Sequence, residues 1–151
     1  MLKTIIRKQY QDKIDQTNQL TGFVRPKEGW IRTLRKALGM SGPQLAKRLK
    51  VGKSQMSQME RLEMDDRITL KQLRKVAHAL DSELVYALVP KNPVNDMLWE
   101  RACEKAKALV EKTDAQMKLE SQQVSRDLLE SFKEKEAERL VKEIPRDFWE
   151  D

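Results

Sequence analysis

Apolar residues recur three and four positions apart along most of this chain, and each run is closed by a glycine, a proline or a polar cluster. Such spacing marks helices with one buried face. The first run, about Thr4 to Leu20, places Ile6, Tyr10, Ile14, Thr17 and Leu20 on one stripe among Lys, Arg, Gln and Asp, which predicts a helix in need of a partner surface. Gly22, Pro26 and Gly29 end it. From Trp30 to Leu38, the residues Trp30, Ile31, Leu34 and Leu38 again recur at helical spacing, with Gly39 placed as a C-terminal stop. Two short helices are expected within 41–62. Thr69 is placed to cap a further one, whose buried stripe is Leu70, Leu73, Val76, Ala77 and Leu80 and which closes at Asp81 and Ser82.

The continuous apolar run from Leu84 to Val89, stopped by Pro90, predicts one short strand, with a short buried helix extension as the alternative. A lone strand leaves its backbone groups unpaired. Its mate is therefore expected from a second copy of the chain, through Leu84, Val85, Tyr86 and Leu88, with "TGFVRP" as a weaker internal candidate. After "KNPVND" two charged helices are expected, about Asp96 to Glu111 and Ser121 to Glu143, the second ended by Pro145. Their stripes, Leu98, Ala102 and Leu109, then Val124, Leu128, Phe132 and Leu140, are thin.

Composition agrees with a mostly helical protein. Charged residues make up 36% and aromatics 5%, so the core has to be modest and aliphatic, and five Gly and five Pro are few for a loop-rich or β-rich fold. At 151 residues there is room for one ordinary domain with appendages or two very small ones, and not for a large enzyme. The single cysteine, Cys103, excludes an internal disulfide and a multi-thiolate metal site, and fits a reducing compartment. "MLKTIIRKQYQDKIDQ" lacks the apolar core of a signal peptide and no run is long enough to span a bilayer, so a cytoplasmic protein with no membrane partner is expected.

The net charge of +6 is unevenly spread. Residues 1–28 carry six basic groups against three acidic, residues 29–91 thirteen against six, and residues 92–151 eleven against fifteen. A basic middle beside a mildly acidic tail points to a polyanion for the middle and a different task for the tail.

Within that middle, "MSGPQLAKRLKVGKSQMSQMERLE" (Met40 to Glu63) encodes two short helices split by a tight turn. Ser41 is placed as N-cap, and Pro43 falls in the first turn, where its missing N–H costs nothing. Leu45, Ala46 and Leu49 form the inward face of the first helix, Val51 points back into the core, and Met56 and Met59 point inward from the second. Two helices that cross closely need a small residue at the contact, which Ala46 supplies. The arrangement is a helix-turn-helix. Its outward face, Lys53, Ser54, Gln55, Ser57, Gln58 and Arg61, holds groups that hydrogen-bond base edges and phosphates, and the amides at the helix start stay open for a phosphate. Glu60 would repel DNA if it faced out. One turn from Met56, it is expected inward, paired with Arg35.

"IRTLRKALGMSGPQLAKRLKVGKSQMSQMERLE", followed by "ITLKQLRKVAHAL", resembles the helix-turn-helix of Cro and cI repressors, the XRE family, over about Trp30 to Leu80. The resemblance implies a compact bundle of four or five helices. It puts Lys53, Ser54 and Gln58 where family members contact bases, with Gln55 and Ser57 nearby. Two positions depart from the pattern. Gly42 stands where the family often has a phosphate-binding Gln, which shifts that task to Gln44, Lys47 or Arg48. Lys50 stands where the turn glycine is usual, and a left-handed conformation there costs about 1 kcal/mol. "RPKEGWIRTLRKALGM" and "LDSELVYALVPK" together resemble the mobile mystery protein A family, whose members accompany a Fic-domain protein that transfers AMP to targets. That implies a regulator or antitoxin with a Fic partner. The inhibitory helix pattern of Ser or Thr, three residues, Glu, then Gly or Asn is absent, which favours transcriptional control.

The remaining chemistry-bearing residues read as structural. His78, the sole histidine, sits among Val76, Ala77 and Ala79 with no partner for metal or catalysis, Cys103 has no His near it, and Met56, Met59, Met64 and Met117 are expected in the core. "EKEAERLVKE" reads as a solvated helix face. No catalytic constellation, metal spacing or phosphate loop is present, and no cofactor is expected. The expectation is a mostly α, Cro/cI-type helix-turn-helix bundle with an added N-terminal helix, one short strand and a helical tail. Its divisions are 1–28, 29–82, 83–91 and 92–151, and it acts as a homodimer that represses transcription from double-stranded DNA. The alternative is an antitoxin whose tail binds a neighbouring protein.

Overall fold

The computed structural model describes residues 1–120 and 125–151. Among these, seven α-helices follow in order: α1 Leu2–Asp15, α2 Trp30–Ala37, α3 Gly42–Leu49, α4 Lys53–Met64, α5 Leu70–Ala79, α6 Val94–Leu119 and α7 Arg126–Glu143. A 3-10 turn, Gln16–Leu20, continues α1. The chain divides into two compact units, residues 22–87 on one hand and residues 1–21 with 88–151 on the other.

In the 22–87 unit the helix ends are set by residues close in sequence. Gly39 takes φ +66°, and the N–H groups of Gly39 and Met40 reach the carbonyls of Lys36 and Arg35, both at 3.0 Å, closing α2. Ser41 Oγ accepts from Gln44 N–H at 3.2 Å while Gln44 Oε1 accepts from Ser41 N–H at 2.8 Å, a reciprocal cap that starts α3. Thr69 and Gln72 repeat the device at α5, with both bonds 3.1 Å. The turn between α3 and α4 pivots on Lys50, which is left-handed at φ 59°, ψ 40°. A β-carbon is strained in that region, so Lys50→Gly is expected to raise stability by about 0.5–1 kcal/mol, read as a higher urea midpoint. A lower midpoint would show that the lysine makes up for its backbone elsewhere.

Ile31, Leu45, Ala46, Met56, Met59, Val76 and Leu80 form the buried core of this unit, with Leu34, Met40, Leu49, Val51, Ile68 and Leu73 packed around it. Ala46 lies 2% exposed where α3 meets α4, and Val51 N–H reaches its carbonyl at 3.0 Å. The periodic stripes were only partly buried. Trp30, Leu38, Leu70 and Met64 remain 43%, 55%, 45% and 38% exposed, because each lies at the edge of its helix's inward arc or at a helix end.

The strand expected at Leu84 to Val89 does not form. Residues 81–90 have no helix or strand assignment, and among the described residues Glu83–Val89 make no backbone hydrogen bond. A ladder needs a second edge, and the internal candidate around Thr21–Pro26 does not supply one. Leu84 is half-buried, whereas Val85, Tyr86 and Leu88 are exposed, and Tyr86 lies under the Arg74 guanidinium, 5.7 Å from ring centre to Cζ.

In the other unit α6 and α7 pack side by side, joining Leu98, Ala102 and Ala106 to Ala137, Leu140 and Phe148. Leu109, Leu128 and Phe132, expected in the stripes, are 41%, 61% and 44% exposed. Val124 lies outside the described residues. Alanines let the helices approach closely and take the place of the larger residues at the seam. Phe148, 1% exposed, fills the end of that seam, and Arg101 holds it there by donating to the carbonyls of Phe148 at 2.9 Å and Glu150 at 2.8 Å. Along α1, Ile6, Tyr10 and Ile14 stay exposed, and Arg7 donates to the Val141 carbonyl at 3.2 Å.

Candidate nucleic-acid interface

Helix α4 divides cleanly into two faces. Met56, Met59, Glu60 and Glu63 are buried, at i, i+3, i+4 and i+7, while Lys53, Ser54, Gln55, Ser57, Gln58 and Arg61 are exposed. The helix starts at Gly52 with no side-chain cap, and its first main-chain bond runs from Met56 N–H to Gly52 O, which leaves the amides of Lys53, Ser54 and Gln55 outside the helical ladder. An uncapped N-terminus flanked by Lys, Ser and Gln offers positive backbone polarity and flexible donors to an anion.

The inward face carries two carboxylates, each held by a different device. Glu60 is 5% exposed and receives Arg35 Nε at 2.7 Å and Nη2 at 3.3 Å, together with Arg32 Nε at 3.1 Å. Arg35 also donates to the Met40 carbonyl at 3.0 Å, which ties α4 to the α2–α3 turn. Burial pushes the Glu60 carboxyl up, but the hydrogen bonds and charges of Arg35 and Arg32 outweigh it and hold the group below its ordinary value. The sequence alone points to Arg35 and not to Arg32.

Glu63 was missed altogether. It is 4% exposed, and its two oxygens accept the N–H groups of Trp30 at 2.6 Å and Ile31 at 2.9 Å, so the end of α4 caps the start of α2. Gly29 makes this approach possible: it sits at φ +85°, and a β-carbon there would come within 2.9 Å of a Glu63 oxygen. Arg25 completes the arrangement by donating to Glu63 O at 2.7 Å, Asp66 Oδ1 at 2.6 Å and Met64 O at 3.3 Å, which satisfies the last carbonyls of α4. The signal lay in the spacing, since 56, 59, 60 and 63 share one arc and an acid on that arc has to find donors.

The expected phosphate contacts are placed unequally. Lys47 is exposed on α3. Gln44 has its carbonyl oxygen engaged with Ser41 but keeps its amide nitrogen. Arg48 already donates to Ala79 O at 2.7 Å and Asp81 at 3.2 Å, fastening α3 to the end of α5.

A short α3 anchored by buried Leu45 and Ala46, a three-residue turn and a second helix with a polar outward face together define a helix-turn-helix domain. Consistent with that geometry, a family model described as Helix-turn-helix matches residues 31–86. The match supports an XRE-type, DNA-binding transcription regulator. No curated protein and no solved structure matches the chain. Among the described residues there is no cluster able to hold a metal ion and no helix long and apolar enough to cross a membrane.

Proposed function

We propose that the protein is a dimeric, cytoplasmic repressor that reads a palindromic operator by placing Lys53 to Arg61 in the major groove, with no catalytic role. The observation that carries this reading is the two-faced α4: its inward Glu60 and Glu63 are held by Arg35, Arg32 and the α2 amides, while Lys53, Ser54, Gln55, Ser57, Gln58 and Arg61 are polar and exposed on the other side. Lys53, Ser54, Gln55, Ser57 and Gln58 meet base edges, and Lys47, Gln44 and Arg61 meet phosphates, with the remaining Arg48 donors in support. In a dimer the two α4 helices sit about 34 Å apart, one turn of the duplex, and Leu84, Val85, Tyr86 and Leu88 supply the contact between copies.

Base and phosphate contacts differ in how their loss reads. Gln58→Ala is expected to weaken operator binding by about 1–3 kcal/mol and to relax preference at one base position, and Lys47→Ala to weaken all sequences alike and reduce the salt slope by about one. Selection from random DNA followed by titration at several salt concentrations measures both. Equal losses on operator and random DNA for Gln58→Ala would remove its role.

A second reading is an antitoxin whose tail grips a Fic-domain neighbour; what speaks for it is only that α6 and α7 build a core of their own around Phe148, in a unit distinct from the helix-turn-helix. It predicts co-purification with such a protein, lost when residues 92–151 are deleted. Retention of the partner after deletion would discard it.

A further inference from the structure

An apolar groove of about 490 Å³ runs along the 22–87 unit between α2 and α5. Leu34 and Ala37 form one side and Leu73 and Ala77 the other, and Leu84 and Val85 close it along one edge. Phe23 and Trp30, stacked with centroids 5.2 Å apart, close the end. Beside this hollow the chain projects apolar side chains outward: Val24 and Val85 are 76% and 74% exposed, Phe23 and Tyr86 70% and 62%. The main-chain groups of Glu83–Ala87 are likewise unengaged by backbone hydrogen bonds among the described residues.

We infer that the groove is the seat of a second copy of this chain, each copy laying its Val85–Tyr86 projection into the hollow of the other. The inference deepens the dimeric reading proposed above and rests on it. A two-fold interface brings a patch against itself, so that patch has to contain both a projection and its receptacle. Here Val85 stands at the groove's own edge with Tyr86 next to it in the chain, so projection and receptacle adjoin. Area agrees. With large side chains offering about 150–250 Å² each, the exposed parts of Phe23, Val24, Trp30, Val85 and Tyr86 come to roughly 500–700 Å², near the lower end of the share that an interface of ordinary size takes from each partner. Charge agrees too. None of the fifteen residues lining the groove is Lys or Arg, although residues 22–87 hold fourteen basic groups against seven acidic; Glu63 and Glu83 line it, so the Arg74 guanidinium carried over Tyr86 would meet acids rather than the domain's own positive charge.

The test uses the full chain. Sedimentation at about 50 µM is expected to give a dimer for the wild type and monomers for Val85→Asp and for Ala37→Lys, both at exposed positions whose change leaves the fold and the helical circular dichroism intact. Mixing the two variants is expected to restore a dimer, because one of its two contacts is then wild type and the other pairs Asp with Lys. A wild type that stays monomeric, variants that stay dimeric, or a mixture that does not associate overturns the proposal, and hands the groove to another occupant. Binding to a single half-site separates this from the DNA reading: monomeric variants that keep wild-type half-site affinity leave α4 as the reader, whereas a wild-type dimer without DNA affinity keeps the interface and removes the reader.

Discussion

Glu63→Ala is expected to destabilise the 22–87 unit by about 3–4 kcal/mol. The change removes two charge-assisted hydrogen bonds, to Trp30 and Ile31 N–H, and the negative charge at the start of α2. It leaves the Ile31 amide, inside the core, with no acceptor. Against a total of about 5–15 kcal/mol for a small domain, such a loss is a large fraction. Glu63→Gln keeps one oxygen and turns a donor toward the second amide, so it is expected to lose about half as much. Urea unfolding followed by Trp30 fluorescence, in a background with Trp99 and Trp149 replaced by Phe, measures both. A loss under about 1 kcal/mol for the alanine would mean that water reaches those amides and the cap is dispensable.

Glu60→Ala is expected to cost about 3 kcal/mol, because it strands the Arg35 guanidinium, whose side chain is only 13% exposed. Arg32, 40% exposed, can turn to solvent and holds the loss toward the lower end of what a broken buried pair costs. Replacing Arg35 and Glu60 together by methionine is expected to recover much of the loss, since the pair fixes the orientation of α4 more than it stabilises the fold. Its pH dependence has a definite sign. The folded-state pKa lies below the ordinary 4.5, so the unfolded chain binds the proton more readily. The contribution is present above 4.5 and fades as pH falls through the folded value. Wild type should therefore lose more stability than Glu60→Gln in that acid range. Parallel curves would show that Glu60 does not differ between the two states.

The parts of the fold that could be read from the chain are those governed by neighbours in sequence. Ser41, Thr69 and Gly39 mark helix ends through bonds that span three to five residues, and the two faces of α4 follow from its period alone. Where distant elements decide, the local pattern of residues carries no signal. The partners of Glu63 lie 32 and 33 residues away, and nothing local distinguishes an acid that caps a remote helix from one that faces water. Leu84 to Val89 has the composition of a strand, but composition cannot furnish the edge that a ladder needs. In α6 and α7 the larger residues Leu109, Leu128 and Phe132 drew attention, while Ala102, Ala106 and Ala137, which contribute little to any apolar period, make the seam.

The cap that Glu63 places on α2 has a consequence for motion. In most proteins a helix near the surface frays from its last turn, but here unwinding the end of α4 would release the first turn of α2 and the grip of Arg25 in the same step. The amide hydrogens of Arg61 to Met64 should thus exchange with deuterium as slowly as those of the core around Val76, and α4, the reader in the function proposed above, should behave as a rigid body whose orientation is already set before any contact is made.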